Sequence, residues 1–264
     1  MRATFAAALW GLMLAAVPAS AQTRWPNGAK AAVVLTYDDA LESQLAHAIP
    51  ALDAAGLKGT FFLANVKEGD VDRWRRAAAG GHELANHTIF HPCTHDVYPA
   101  DPRYVSEAYT SASMLREIAQ MNVLLRALDG KDRHGLATPC GQSLAGGKDY
   151  LEDLRKAGTV TYVRGVADLP ASTRANVSTA DPMHVPSRPF DKGATAEKMI
   201  AYVREAEQGG GWAVFLFHGV GGDYTAVPDA EHRAFVAWLA QHRDEVWVTT
   251  LQGALDWAKA NPGK

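Results

Sequence analysis

Three short runs of residues in this 264-residue chain have the types and spacing to do chemistry. The first is Thr36-Tyr37-Asp38-Asp39, two adjacent carboxylates directly after an apolar run. Successive residues of a strand point to opposite faces, so this pair can share one site only where the strand has ended. Two buried carboxylates are costly unless bound or wet. The plain alternative is a solvated loop pair, with Asp39 as the N-cap of a following helix. The second run is His87-Thr88-Ile89-Phe90-His91. On a helix face, positions i and i+4 lie about 40° apart, which can bring two imidazoles to one metal ion. The alternative is an accidental pair among ten histidines. The third run, Phe215-Leu216-Phe217-His218-Gly219, closes an apolar strand with a histidine and flexible glycines beyond. Such a histidine is a candidate proton donor, or else one satisfied by neighbouring backbone. His82-Glu83-Leu84-Ala85-Asn86-His87 resembles a metalloprotease helix but is one residue too long. A five-residue step turns about 140°, so His82 and His87 could not chelate from one helix face.

The elements that must position these runs alternate along the chain. Strands are expected at residues 31–37, 59–63, 82–86, 135–138, 160–163, 212–217 and 246–248, with a short one near 184–185. Helices are expected at residues 41–54, 71–79, 106–128, 150–157, 195–208, 231–242 and 251–260. Residues 166–194 show no period and hold four prolines. About seven β/α units in one domain point to a parallel sheet closed as a barrel or near-barrel rather than a doubly wound sheet. In such barrels active sites sit at the C-terminal rim, where all three runs fall. No Gly-x-Gly-x-x-Gly follows the first strand, so a dinucleotide fold lacks its fingerprint.

With 26 basic and 29 acidic residues, the chain has no global field for gripping nucleic acid. Two cysteines are too few for a disulfide scaffold or a cysteine-only zinc site. Met1-Arg2, an apolar run to Val17, Pro18 and Ala19-Ser20-Ala21 read as a secretory signal peptide over residues 1–21. A membrane anchor is the alternative, but the run of about 15 residues falls short of the ~20 needed to span. The expected product is a secreted or periplasmic monomer with no membrane span after cleavage.

Together the three runs resemble the polysaccharide deacetylases of carbohydrate esterase family 4, the NodB homology domain. Thr36-Tyr37-Asp38-Asp39 matches its first motif, His87 to His91 its second and Leu216-Phe217-His218 its fifth. The resemblance runs from Ala29 to Trp257 and implies one catalytic domain over residues 29–260 with a distorted (β/α)7 barrel. It implies one divalent metal, Zn2+, on Asp39, His87 and His91, with Asp38 as base and His218 as acid. It also gives the Cys140 N–H a place at the oxyanion and Leu216 a contact with the acetyl methyl. The chemistry is coherent, because three protein ligands leave an open position for water and acyl oxygen. The absence of a Gly-x-Ser-x-Gly elbow agrees with a route lacking an acyl-enzyme.

The third motif departs from the family pattern. Ala137 stands where an arginine would position the base, and Arg164 is the residue expected to reach in instead. The fourth motif is absent, leaving Asp168 and Asp181 to orient His218. If the loops carrying Cys93 and Cys140 flank one metal site, export favours a disulfide between them, against two reduced thiols. Tyr98, Tyr104 and Tyr224 fall in or beside rim loops and are candidates to stack on sugar rings. The expected function is an exported metal-dependent deacetylase acting on an N-acetylglucosamine-containing glycan. The alternatives are an O-acetyl xylan esterase, a cyclic amide or amidine hydrolase, and a non-catalytic carbohydrate binder.

Overall fold

The computed structural model describes residues 25–166 and 177–262. The leader expected over residues 1–21 and Asp168 lie outside the described residues. The strands in chain order are β1 (Ala31–Asp38), β2 (Thr60–Leu63), β3 (Glu83–Asn86), β4 (Leu136–Ala137), β5 (Leu144–Ala145), β6 (Lys148–Asp149), β7 (Val163–Arg164), β8 (Arg188–Pro189), β9 (Trp212–Phe217) and β10 (Val246–Thr249). The helices are α1 (Ile49–Ala54), α2 (Val71–Ala79), α3 (Ser111–Asp129), α4 (Leu151–Ala157), α5 (Ala196–Gly209), α6 (Asp229–Gln241) and α7 (Leu251–Ala260).

The main sheet follows the order β7-β4-β3-β2-β1-β9-β8, with β10 added beside β1. Its pairings are parallel. β9 pairs with residues 32–37 along one edge of β1. The other edge is divided between β10 at residues 31–34 and β2 at residues 36–38. One irregular segment closes the sheet. Val163 N–H donates to the Pro182 carbonyl and Gly165 N–H to that of Val185, and a few residues later β8 pairs with β9. Pro182, Pro186 and Pro189 deny this seam a full donor ladder, so it stays short. The result is the barrel that the alternation predicts, in the distorted (β/α)7 form that the family resemblance implies.

Period-two alternation sorts the side chains between two layers. Val33, Leu35, Tyr37, Phe61, Phe215 and Phe217 pack outward against the helices, with Leu52, Trp74, Met199 and Phe235. Ala32, Val34, Phe62, Ala85, Ala137, Tyr162 and Val214 pack together on the opposite, inner face. Each buried Val or Leu contributes about 1.5–3 kcal/mol relative to exposure. Counting in steps of two from these inner residues reaches Asp38, His87, Arg164, Leu216 and His218. Strand parity thus aims Asp38, Arg164 and Leu216 at the barrel mouth, and His87 and His218 follow one residue beyond the ends of their strands.

Several boundaries differ from expectation. The long helix begins at Ser111 rather than 106. Thr110 caps it, its Oγ1 accepting from Ser113 N–H, while residues 106–108 make only a 3-10 turn. The first helix contains a π turn over Gln44–Ala48. The β5–β6 hairpin was not anticipated, because its two-residue strands leave no alternation to read. The strand expected at 160–163 is Val163–Arg164, and the one near 184–185 is a single bridge at Val185 followed by β8. Among the described residues, no helix is long and apolar enough to cross a membrane.

Candidate active site

β1 ends at Asp38, and the next two residues, Asp39 and Ala40, take φ of 81° and 55°. This left-handed step turns Asp39 back over the mouth that Asp38 faces, so two adjacent carboxylates share one site. Asp39 is not a helix cap. Its Oδ1 lies 3.3 Å from His87 Nε2 and 3.4 Å from His91 Nε2. Its Oδ2 accepts from the Tyr224 hydroxyl at 2.8 Å.

The histidine pair is not on a helix, contrary to the spacing argument. Residues 87–93 form a turn in which Thr88 and His91 have φ of 63° and 53°. Asn86 Oδ1 accepts from Thr88 N–H at 2.7 Å, and Thr88 Oγ1 accepts from His91 N–H at 3.0 Å. Glu117 Oε1 accepts from the Ile89 and Phe90 N–H groups at 3.0 and 2.9 Å. The chain doubles back until the two Nε2 atoms stand 3.1 Å apart.

The three donors fit a small divalent cation. A tetrahedral ion with bonds of 2.0–2.1 Å holds its ligand atoms about 3.3 Å apart, and the three edges here are 3.1, 3.3 and 3.4 Å. His87 Nδ1–H donates to the Ala137 carbonyl at 2.8 Å, which leaves the Nε2 lone pair facing the site. Electrostatics agree with a site built for positive charge. Burial raises the Asp39 carboxyl, but the close imidazoles of His87, His91 and His218 together hold it well below the usual range. Burial and the charge of His87 push His91 down to about 4, so its imidazole is neutral at pH 7. For His87, burial is outweighed by Asp38 and Asp39, and the net shift is upward.

Asp38 and Arg164 form a buried ion pair, with Arg164 Nη2 2.6 Å from Asp38 Oδ1. In the β4–β7 register Ala137 lies opposite Arg164. The guanidinium thus comes from the strand beside the position where the family pattern has its arginine. The Phe62 ring lies 4.8 Å from the guanidinium carbon. His218 stands on the other side of the mouth, its Nε2 3.8 Å from Asp39 Oδ2. Asp181 does not orient it. That carboxylate is turned away, paired with Arg155 at 2.6 Å and with His184 at 3.0 Å. Leu216 is buried two residues before His218.

Cys93 and Cys140 are joined by a disulfide that closes a 47-residue separation. A loop of that length is worth about 4 kcal/mol by the loop-closure argument. The bridge ties the histidine turn to Cys140, whose own φ is 53°. Gln142 adds to it, donating to Thr94 Oγ1 and accepting from Thr94 N–H. Tyr98 and Tyr104 are exposed, and the Tyr104 ring lies 4.9 Å from Phe90.

Sequence reasoning missed three supports of the site. Gln44 Nε2 donates to the carbonyls of Asp38 and His218, joining two rim loops. Glu117 shapes the histidine turn from α3, and Tyr224 holds Asp39. Nothing in the spacing of the sequence singles out Gln44, one of two polar side chains, with His47, in the π turn Gln44–Ala48.

The family sequence model described as polysaccharide deacetylase matches residues 26–162. None of the curated proteins matches the chain. Among solved structures, the chain is similar to the Xyl-CE4 domain of a multidomain xylanase from the hindgut metagenome of Trinervitermes trinervoides. The TM-score is 0.56 at 16% identity, covering 89% of this chain and 94% of the other. A peptidoglycan deacetylase of Bacillus subtilis gives 0.56 at 15%, covering 87% and 92%. The catalytic domain of a peptidoglycan N-acetylglucosamine deacetylase of Eubacterium rectale gives 0.55 at 21%, covering 88% and 94%. At these identities the likeness is one of fold.

Proposed function

This chain belongs to the polysaccharide deacetylase family, and we propose that it removes N-acetyl groups from an N-acetylglucosamine-containing polysaccharide or oligosaccharide. In this reading Asp39, His87 and His91 bind one divalent cation, Zn2+. The protein acts outside the cytoplasm as a monomer, after cleavage behind Ala21. The convergence of three ligand atoms at tetrahedral spacing beside the Asp38–Arg164 pair carries the reading.

The cation, when bound, supplies Lewis-acid polarisation of the acyl oxygen and makes its water more acidic. Asp38 accepts the proton that the attacking water gives up, with Arg164 fixing its carboxylate toward the mouth. The Cys140 N–H is the donor for the negative charge that develops on the acyl oxygen as the acyl carbon becomes tetrahedral. His218 then gives its proton to the departing amine nitrogen, so acetate and a free amine leave together. Leu216 lines the place of the acetyl methyl.

The likeness to a domain of a multidomain xylanase favours a second reading, an esterase acting on O-acetyl xylan. Incubation of the zinc-loaded protein with chitin oligosaccharides, peptidoglycan and acetylated xylan separates the two. The first reading predicts acetate and new free amine in equal amounts from an N-acetylated glycan. Acetate from xylan without new amine would favour the esterase. No acetate from any of them would overturn both readings.

A further inference from the structure

We propose that Tyr224 is a positioning residue for the cation site, its phenol holding Asp39 so that only Oδ1 faces the two imidazoles. The inference rests on the reading of Asp39, His87 and His91 as cation ligands.

The two oxygens of Asp39 have different surroundings. Oδ1 takes both imidazole Nε2 atoms at 3.3 and 3.4 Å. Oδ2 takes the Tyr224 hydroxyl at 2.8 Å, with His218 Nε2 farther off at 3.8 Å. A carboxylate at an open rim can otherwise rotate and offer either oxygen, or both. A donor fixed on Oδ2 removes that freedom and leaves Oδ1 as the single ligand atom. Groups of this kind, one bond behind a ligand, change cation affinity without touching the cation.

The loop carrying Tyr224 is built to hold it. After β9 the chain folds on itself: Gly219 N–H donates to the Tyr224 carbonyl, Val227 N–H to that of Gly219 and Gly221 N–H to that of Val227. A Cβ on Gly219 would lie 2.0 Å from the Gly222 carbonyl oxygen, so only glycine permits this packing. Asp223 and Thr225, on either side of Tyr224, have φ of 62° and 43°. Such strained residues persist only where the surroundings enforce them.

The same loop is tied to the turn that carries Asp39. Ser43 N–H donates to Asp223 Oδ2 at 2.8 Å, and Val220 N–H donates to Ser43 Oγ at 3.1 Å. These two bonds and the Tyr224–Asp39 bond set the two loops in one register. Tyr224 itself is 55% exposed, so its ring adds little to the core. Its hydroxyl is the part with a fixed partner.

Tyr224→Phe keeps the ring, and with it any stacking on a sugar, and removes the hydroxyl alone. Zinc affinity is measured on metal-free wild type, Tyr224→Phe and Asp39→Asn by competition with a chromogenic chelator, and KM is measured at saturating zinc. We expect Tyr224→Phe to bind zinc roughly 10–100-fold more weakly, with the melting temperature of the metal-free protein and KM for the glycan unchanged. Wild-type zinc affinity in Tyr224→Phe would overturn the positioning role while leaving the cation reading intact. The same holds if affinity is unchanged and KM rises, which would give the residue to the sugar instead. A wild type that binds no zinc, and is indistinguishable from Asp39→Asn, would overturn the cation reading itself.

Discussion

The inner face of the barrel buries a carboxylate at each end, and the two are satisfied in different ways. At the C-terminal rim, Asp38 is the last residue of β1 and is met by a full positive charge, the Arg164 guanidinium. At the opposite end, Glu83 is the first residue of β3 and is met by neutral donors. These are the Tyr162 hydroxyl at 2.7 Å, the Thr60 hydroxyl at 2.8 Å and the Gln252 N–H at 3.0 Å. Burial outweighs those donors, and the Glu83 carboxyl is pushed upward. The backbone differs too. Of nine non-glycine residues with positive φ among the described residues, all but Asn27 lie beyond the C-terminal ends of strands. A carboxylate that closes a barrel needs only donors that fit. On the proposed reading of Asp38 as the base, a carboxylate that exchanges a proton needs countercharge and loops held in place around it.

If that contrast holds, Asp38→Asn lowers kcat for acetate release by about 10²–10⁴, while Glu83→Gln leaves kcat within a few-fold. Comparable losses from both, in proteins with native circular dichroism, would break it. Arg164→Ala leaves Asp38 buried without its partner and costs about 3–5 kcal/mol in urea unfolding. Arg164→Lys should recover part of both stability and kcat. If Arg164→Ala kept full activity, positioning of the base would fall to some other group.

His232 sharpens the comparison from the outer layer, where it meets the Tyr37 hydroxyl at 2.7 Å. Burial lowers its pKa to about 4, below the ordinary 6.5 it regains on unfolding. Its contribution is therefore fully present above pH 6.5 and is lost as pH falls toward 4. Wild type should lose about 3 kcal/mol from this group between pH 7 and pH 4, and His232→Phe should show a correspondingly flatter profile. The smallest effect belongs to Glu83→Gln, which should cost about 1–3 kcal/mol of stability.

Much of the rim was legible because strand parity and motif order are local properties. Alternation from Ala32 leads to Asp38, and the missing arginine at 137 pointed to Arg164, its register partner. The histidine pair was found for the wrong reason, since side-chain bonds from Asn86, Thr88 and Glu117 make the turn that a helix was thought to supply. Asp181 is taken up by its own pairing with Arg155 and His184, which the order of the motifs does not report. Tyr224 and Gln44 act through contacts across loops, and no spacing rule reports such contacts.

The most direct test of the account is metal dependence on an N-acetylated glycan from which the protein releases acetate. Protein stripped with a chelator and dialysed free of it should release none, and one equivalent of zinc should restore the rate in wild type but not in an Asp39→Asn, His87→Ala double variant. A stripped wild type that keeps its full rate would contradict the cation site and the chemistry built on it.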